Sequence, residues 1–100
     1  MIFEYSDKLK HYMHRTHKEY ILIEVVTADT SDLEVSEIAT RFVDKKMAEH
    51  YITKKRFRQV EGEIGQLLLP PYPIKYSDTV QLSLRSFLFF HLITQKGMKL

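Results

Sequence analysis

The sequence contains no cysteine. That excludes a disulfide framework, a thiolate zinc site, an iron–sulfur cluster and a cysteine nucleophile. Small extracellular domains without disulfides are uncommon, so a reducing compartment, the cytoplasm, is expected. Glycine is scarce too: Gly62, Gly65 and Gly97 are all there is, and none stands in a phosphate-binding loop or a dinucleotide fingerprint. HExxH and a nucleophile elbow are both absent. Ser36, Ser83, His50, His91 and the scattered acids have no spacing that builds a triad. The expectation is therefore a protein that is not an enzyme, with no cofactor and no small-molecule substrate.

Long apolar runs are missing as well. The densest, Phe87 to Ile93, is seven residues, against the roughly 20 that span a bilayer. The opening Met1-Ile2-Phe3-Glu4-Tyr5-Ser6-Asp7 carries acids where a signal peptide needs bases and a long apolar stretch. No membrane partner is expected.

What is present is the composition of a globular domain: 44% hydrophobic and 28% charged residues in 100, enough for one core and one domain. The net charge of +2 says little, but its distribution says more. Residues 1–18 sum to +2, residues 19–40 to −6 with no base, residues 41–58 to +5 and residues 59–100 to +1. Segregated charge of this kind steers partners, or other copies of the same chain, towards opposed surfaces.

Along the chain, residues 2–5 read as a strand. Ser6 caps a helix over 6–16, with Leu9, Tyr12 and Met13 one turn apart. Residues 19–27 form the clearest strand, β-branched and apolar on both faces, as befits a strand with cover on both sides. Ser31 and Glu34 make a capping box, and Val35, Ile38, Ala39, Phe42 and Val43 follow at helical spacing. A helix is thus predicted over 32–51, firm to Asp44 and weaker beyond. Phe57, Val60, Ile64, Leu67 and Leu68 predict another over 54–69, with a break near Gly62 as the alternative. Pro70-Pro71-Tyr72-Pro73 is an extended connector. From Val80 to Arg85 strand-like alternation returns, but Phe87 to Ile93 is apolar throughout; a strand is predicted over 80–92, with a helix capped by Asp78 and Gln81 as the alternative. The predicted architecture is α+β: a small two-layer domain of about three strands with about three helices packed on the sheet. A β-α-β unit over residues 1–27 would have a right-handed crossover.

Four local compositions stand out. On a helix, His11 and His14 share a face, but no carboxylate at helical spacing completes a metal site, and Lys10, Arg15 and Lys18 repel a divalent cation. No metal site is expected there; the polar face of a surface helix is the simpler reading. Lys45, Lys46, Lys54, Lys55, Arg56 and Arg58 form a basic segment around Phe57, a pattern that suits phosphate contact with an aromatic stacking on bases. Val35 to Phe42 begins like a helix-turn-helix, though Val43 stands where the turn wants glycine. Pro70-Pro71-Tyr72-Pro73-Ile74-Lys75 fits a PxxPx+ ligand, a match short enough to arise by chance.

The fourth is Phe87-Leu88-Phe89-Phe90-His91-Leu92-Ile93. A chain of 100 residues has little capacity to cover so large an apolar load. Phe87, Phe89, Phe90 and His91 are therefore candidate interface residues. The leading expectation is a non-catalytic protein–protein interaction or assembly module, a homo-oligomer or the ligand of another protein. The alternative is a small nucleic-acid-binding regulatory protein using Lys45, Lys46, Lys54, Lys55, Arg56 and Arg58, with His14 and Arg15 near by.

Overall fold

Residues 20 to 26 carry apolar side chains on both faces, and the computed structural model, which describes residues 1–100, buries both faces over Ile21 to Ile23 and leaves Val26 exposed. Strand β1 (Ile2–Tyr5) leads into helix α1 (Asp7–Thr16), followed by the long hairpin of β2 (Tyr20–Asp29) and β3 (Glu34–Val43). Helix α2 (Lys45–Thr53) comes next, then the short strands β4 (Arg58–Glu61) and β5 (Gln66–Leu69). A second long hairpin, β6 (Lys75–Phe87) and β7 (Phe90–Lys99), closes the chain. The fold is α+β with two sheets, ordered β1-β6-β7 and β3-β2-β5-β4.

Alternation along β2 explains the layers. Ile21 and Ile23 join Leu67 and Leu69 of β5 in a core shared with Val80, Leu82, Leu84 and Ile93 of the other sheet and with Leu9 and Met13 of α1. Leu22 points the other way and, with Leu68 and Val43, packs under Ala48 and Tyr51 of α2 and the buried Phe57. Ser6 caps α1 as its sequence predicts, its hydroxyl accepting from the Leu9 amide at 3.2 Å.

Several expectations are overturned. The segment 32–51 is not one helix: β3 occupies 34–43 and only 45–53 is helical. Val35, Ile38, Ala39, Phe42 and Val43 do fit helical spacing. Even so, residues 34–43 pair in unbroken antiparallel register with β2, from Asp29↔Glu34 to Tyr20↔Val43, and the neighbouring strand outweighs the local pattern. Ser31 caps nothing; Thr30 ties the turn instead, its hydroxyl meeting both the amide and the carbonyl of Leu33. The helix expected over 54–69 is the hairpin β4–β5. Its turn is built on Gly65, whose φ is +64° and where a Cβ would collide with the Glu19 backbone.

The strand expected over 80–92 is two strands, because the chain reverses at Leu88-Phe89. There are thus seven strands and two helices rather than three of each. Nor is there a β-α-β unit over residues 1–27. Strand β1 pairs parallel with β6 and β2 parallel with β5, so β1 and β2 lie in different sheets. With β3 in place of a first helix, Val35 to Phe42 is no helix-turn-helix.

Candidate docking surface

The β6–β7 hairpin turns through two residues. Phe87 pairs with Phe90, and Leu88 takes a φ of 54°. A left-handed residue in so short a loop is normally glycine or asparagine. A leucine there is strained by roughly 1 kcal/mol or more, and it packs on little: 78% of it is exposed. Phe89 is 94% exposed and Phe87 70%.

Pairing sets the faces of this ribbon. Leu84 opposite Ile93 points into the core, so Arg85 opposite Leu92 and Phe87 opposite Phe90 point outward. Phe87, Phe90 and Leu92 therefore share one outer face with Arg85, and Leu88 and Phe89 cap its end. At 150–250 Å² per aromatic side chain these five residues expose on the order of 700 Å². A typical monomer's largest apolar patch is about 300–600 Å².

His91 sits on the inner face. Its Nδ1 is 3.0 Å from the Ser86 hydroxyl, and its ring lies on Tyr12 of α1, centroids 4.5 Å apart. The stacking of His91 on Tyr12 links the ribbon to α1. Of the residues singled out from sequence, Phe87, Phe89 and Phe90 lie together at the tip and on its outer face, while His91 is exposed on the opposite face of the ribbon. Leu88, Leu92 and Arg85 belong to the same surface and were missed. Their signal was the turn, which lacks the usual Asn-Gly or Asp-Gly marker.

The two hairpins point to opposite ends of the molecule. Tyr12 touches both His91 and Phe42, with its ring 5.5 Å from that of Phe42, while the Thr40 hydroxyl donates to the Ile93 carbonyl at 2.9 Å. His91 is thus beside Phe42 and Ile93 beside Thr40, so β7 runs against the direction of β3 where they meet. The β6–β7 tip consequently lies towards the Val43 end of β3. The β2–β3 turn lies about 30 Å away along the strand, at roughly 3.3 Å per residue.

Each end has its own charge. At this end Arg85 shares the outer apolar face, Arg15 lies on the inner side over the Tyr12 ring, 5.7 Å from its centroid, and Lys18 and Lys45 lie at the α1 end and the β3–α2 junction. Between the α1 end and the β3–α2 junction lies a concavity of about 530 Å³ whose wall includes His17, Lys18 and Lys45. Two acids also line it, Glu19 and Asp44. Asp44 is committed to capping α2, its carboxylate accepting from the Met47 amide at 2.7 Å.

The other end is acidic. Exposed Val26 and Val35 share one face of the ribbon with Glu37, Asp29 and Glu34 lie on the opposite face, and Asp32 and exposed Leu33 lie in the turn. Asp29 and Glu34 are direct partners across the ladder, and like charges so placed destabilise a hairpin. Of the acids on this ribbon, only Glu24 has a cation, Arg41 at 3.4 Å.

The basic segment is divided between the two ends of α2. Lys45 and Lys46 begin the helix, whereas Lys54, Lys55, Arg56 and Arg58 follow its end, about 13 Å further along at 1.5 Å per residue. All six are exposed and none makes an ion pair. Lys55 lies over the Tyr51 ring, 4.8 Å from its centroid. Phe57, expected as a stacking surface, is buried edge-on against Tyr51 and Tyr72. His11 and His14 line a shallow recess with Asp7 and Lys10. The Lys10 ammonium already sits 3.7 Å from Asp7 and 3.3 Å from Glu63. The proline connector is held by Tyr72, whose hydroxyl accepts from the Val25 amide at 2.9 Å.

No helix is long and apolar enough to cross a membrane. Comparison with protein-family models, curated proteins and solved structures finds no match.

Proposed function

We propose that the chain is a non-catalytic association module that docks through the β6–β7 tip and self-associates. The observation that carries this reading is the outward display of Phe87, Leu88, Phe89, Phe90 and Leu92 on a ribbon braced by His91 and Tyr12. An apolar surface of this size is costly to leave in water, and the strained Leu88 turn is kept although no local packing repays it. Burying the patch against a partner recovers both. Sedimentation of the wild type from micromolar to submillimolar concentration should show species heavier than the 11.9 kDa chain. Phe89→Asp, at a position exposed in the monomer, should remain folded and monomeric throughout. A wild type that stays monomeric over the whole range overturns the reading.

A second reading rests on a different observation, the six exposed and unpaired bases of 45–58. They suit phosphate contact by charge alone, since Phe57 is buried. In this reading labelled oligonucleotides bind at about 50 mM salt and are largely released by about 200 mM. Lys55→Glu combined with Arg56→Glu should then abolish binding without changing the melting curve. No binding at the lower salt removes this reading.

A further inference from the structure

The two ends of the molecule complement one another. One carries the apolar tip with Arg85 on its outer face, and at the same end a concavity lined by His17, Lys18 and Lys45 together with Glu19 and Asp44. The other carries an acidic turn: exposed Val26 and Val35 share one face of the ribbon with Glu37, Asp29 and Glu34 pair on the opposite face, and Asp32 and Leu33 lie in the turn between them. Each end has apolar area without cover, and neither Arg85 nor Asp32 and Glu37 has an ion-pair partner. The Asp29–Glu34 pair adds to the negative field of this end.

We propose that the chain assembles head to tail, the β6–β7 tip end of one copy docking on the β2–β3 hairpin of the next. The inference rests on the association reading above and names both the partner, a second copy, and its receiving surface. In this arrangement Phe89 and its neighbours cover Val26, Leu33 and Val35, while Arg85 meets Asp32 and Glu37, which flank the same face. The tip exposes roughly 700 Å² of apolar residues, close to the 800 Å² per partner that a stable interface buries. Because the two surfaces differ and lie at opposite ends, the contact is heterologous. Such a contact does not stop at a dimer: it closes into a ring or continues as a filament. Charge complementarity makes the contact salt-sensitive, with a dissociation constant that rises about tenfold or more between 50 and 500 mM salt.

Mixing two variants tests the geometry. Phe89→Asp keeps the acidic hairpin and loses the tip. Asp32→Lys combined with Glu37→Lys keeps the tip and loses the acidic receiving face; Glu37→Lys alone serves as a second variant of this class if the double change does not fold. Each should be monomeric alone by sedimentation, with a melting curve like that of the wild type. Mixed in equal amounts, they should form a 1:1 heterodimer and nothing larger, because only one productive contact remains.

If the wild type associates but the charge variant associates equally well alone, and no heterodimer forms, the head-to-tail geometry is overturned. Docking through the tip then survives as a symmetric contact. A wild type that is monomeric at every concentration overturns both. If copies stay apart in solution while the wild type, and not Phe89→Asp, cosediments with phosphatidylserine vesicles, the tip faces lipid and the proposal falls.

Discussion

Tyr5 shows how a single residue can be tolerated in the core rather than suited to it. Its hydroxyl is buried and has no hydrogen-bond partner. A Cβ on Gly62 would run into that hydroxyl, so glycine is what leaves room for it. The backbone of Tyr5 is well served, its amide donating to the Glu63 carboxylate at 2.7 Å. Burial, reinforced by the Glu63 charge, pushes the hydroxyl well above the ordinary tyrosine value of 10. Above pH 10 the unfolded chain releases this proton while the folded chain keeps it. The folded state then binds more protons, and stability falls as pH rises. Tyr5→Phe removes an unsatisfied polar group without opening a cavity. At pH 7 it should leave the urea midpoint unchanged or raise stability by about 1 kcal/mol. Between pH 10 and 11 it should shallow the alkaline decline. A loss of stability at pH 7 would mean that the hydroxyl has a partner in solution.

At the scale of elements, what could be read from the sequence follows from how local each signal is. Helix α1 and strand β2 were legible because their cues lie within them: the Ser6 cap, the Leu9–Met13 spacing and the two-faced apolar run of 20–26; residues 2–5 were expected only as a partner for that strand, and β1 pairs with β6 instead. Strand β3 was not legible. Val35, Ile38 and Phe42 satisfy a helical period, whereas in the strand Ile38 and Phe42 face the core and Val35 the opposite side, and only pairing along the whole of β2 decides between them. The stretch 57–68 failed for a related reason. Val60, Leu67 and Leu68 fall on a helical stripe, but Gly65 at positive φ fixes a turn that puts Val60 opposite Leu67. The β6–β7 turn was hidden by its own composition, since Leu88 and Phe89 extend an apolar run where a hairpin loop is ordinarily polar. The same anomaly made Phe87, Phe89 and Phe90 stand out as interface candidates. The tip was therefore legible as surplus apolar surface before it was legible as a turn, and the basic segment was legible as charge although the burial of Phe57 was not.

On the scale of the whole molecule, the two cores are joined through the same strands. Strand β2 gives Ile21 and Ile23 to the core between the sheets and Leu22 to the one under α2; β5 divides Leu67 and Leu69 from Leu68 in the same way. Neither strand can lose its cover on one face without loosening its grip on the other. Tyr51 reinforces the link, because its hydroxyl lies 3.2 Å from the Arg41 guanidinium and 3.4 Å from Glu24, across both strands of the β2–β3 ribbon. Unfolding should therefore be a single transition, although the cores lie on opposite faces of a sheet. Leu22→Ala tests this, because Leu22 is fully buried and its truncation costs about 3 kcal/mol. Near-UV dichroism reports the packing of all six tyrosines, Tyr51 and Tyr72 against Phe57 among them, while far-UV dichroism reports the sheets and helices together. The two signals should shift to lower urea together and stay superimposed. If the aromatic signal melted first over intact sheets, α2 would be a separable cover. The β2–β3 hairpin could then change its presentation without unfolding the domain that carries the tip.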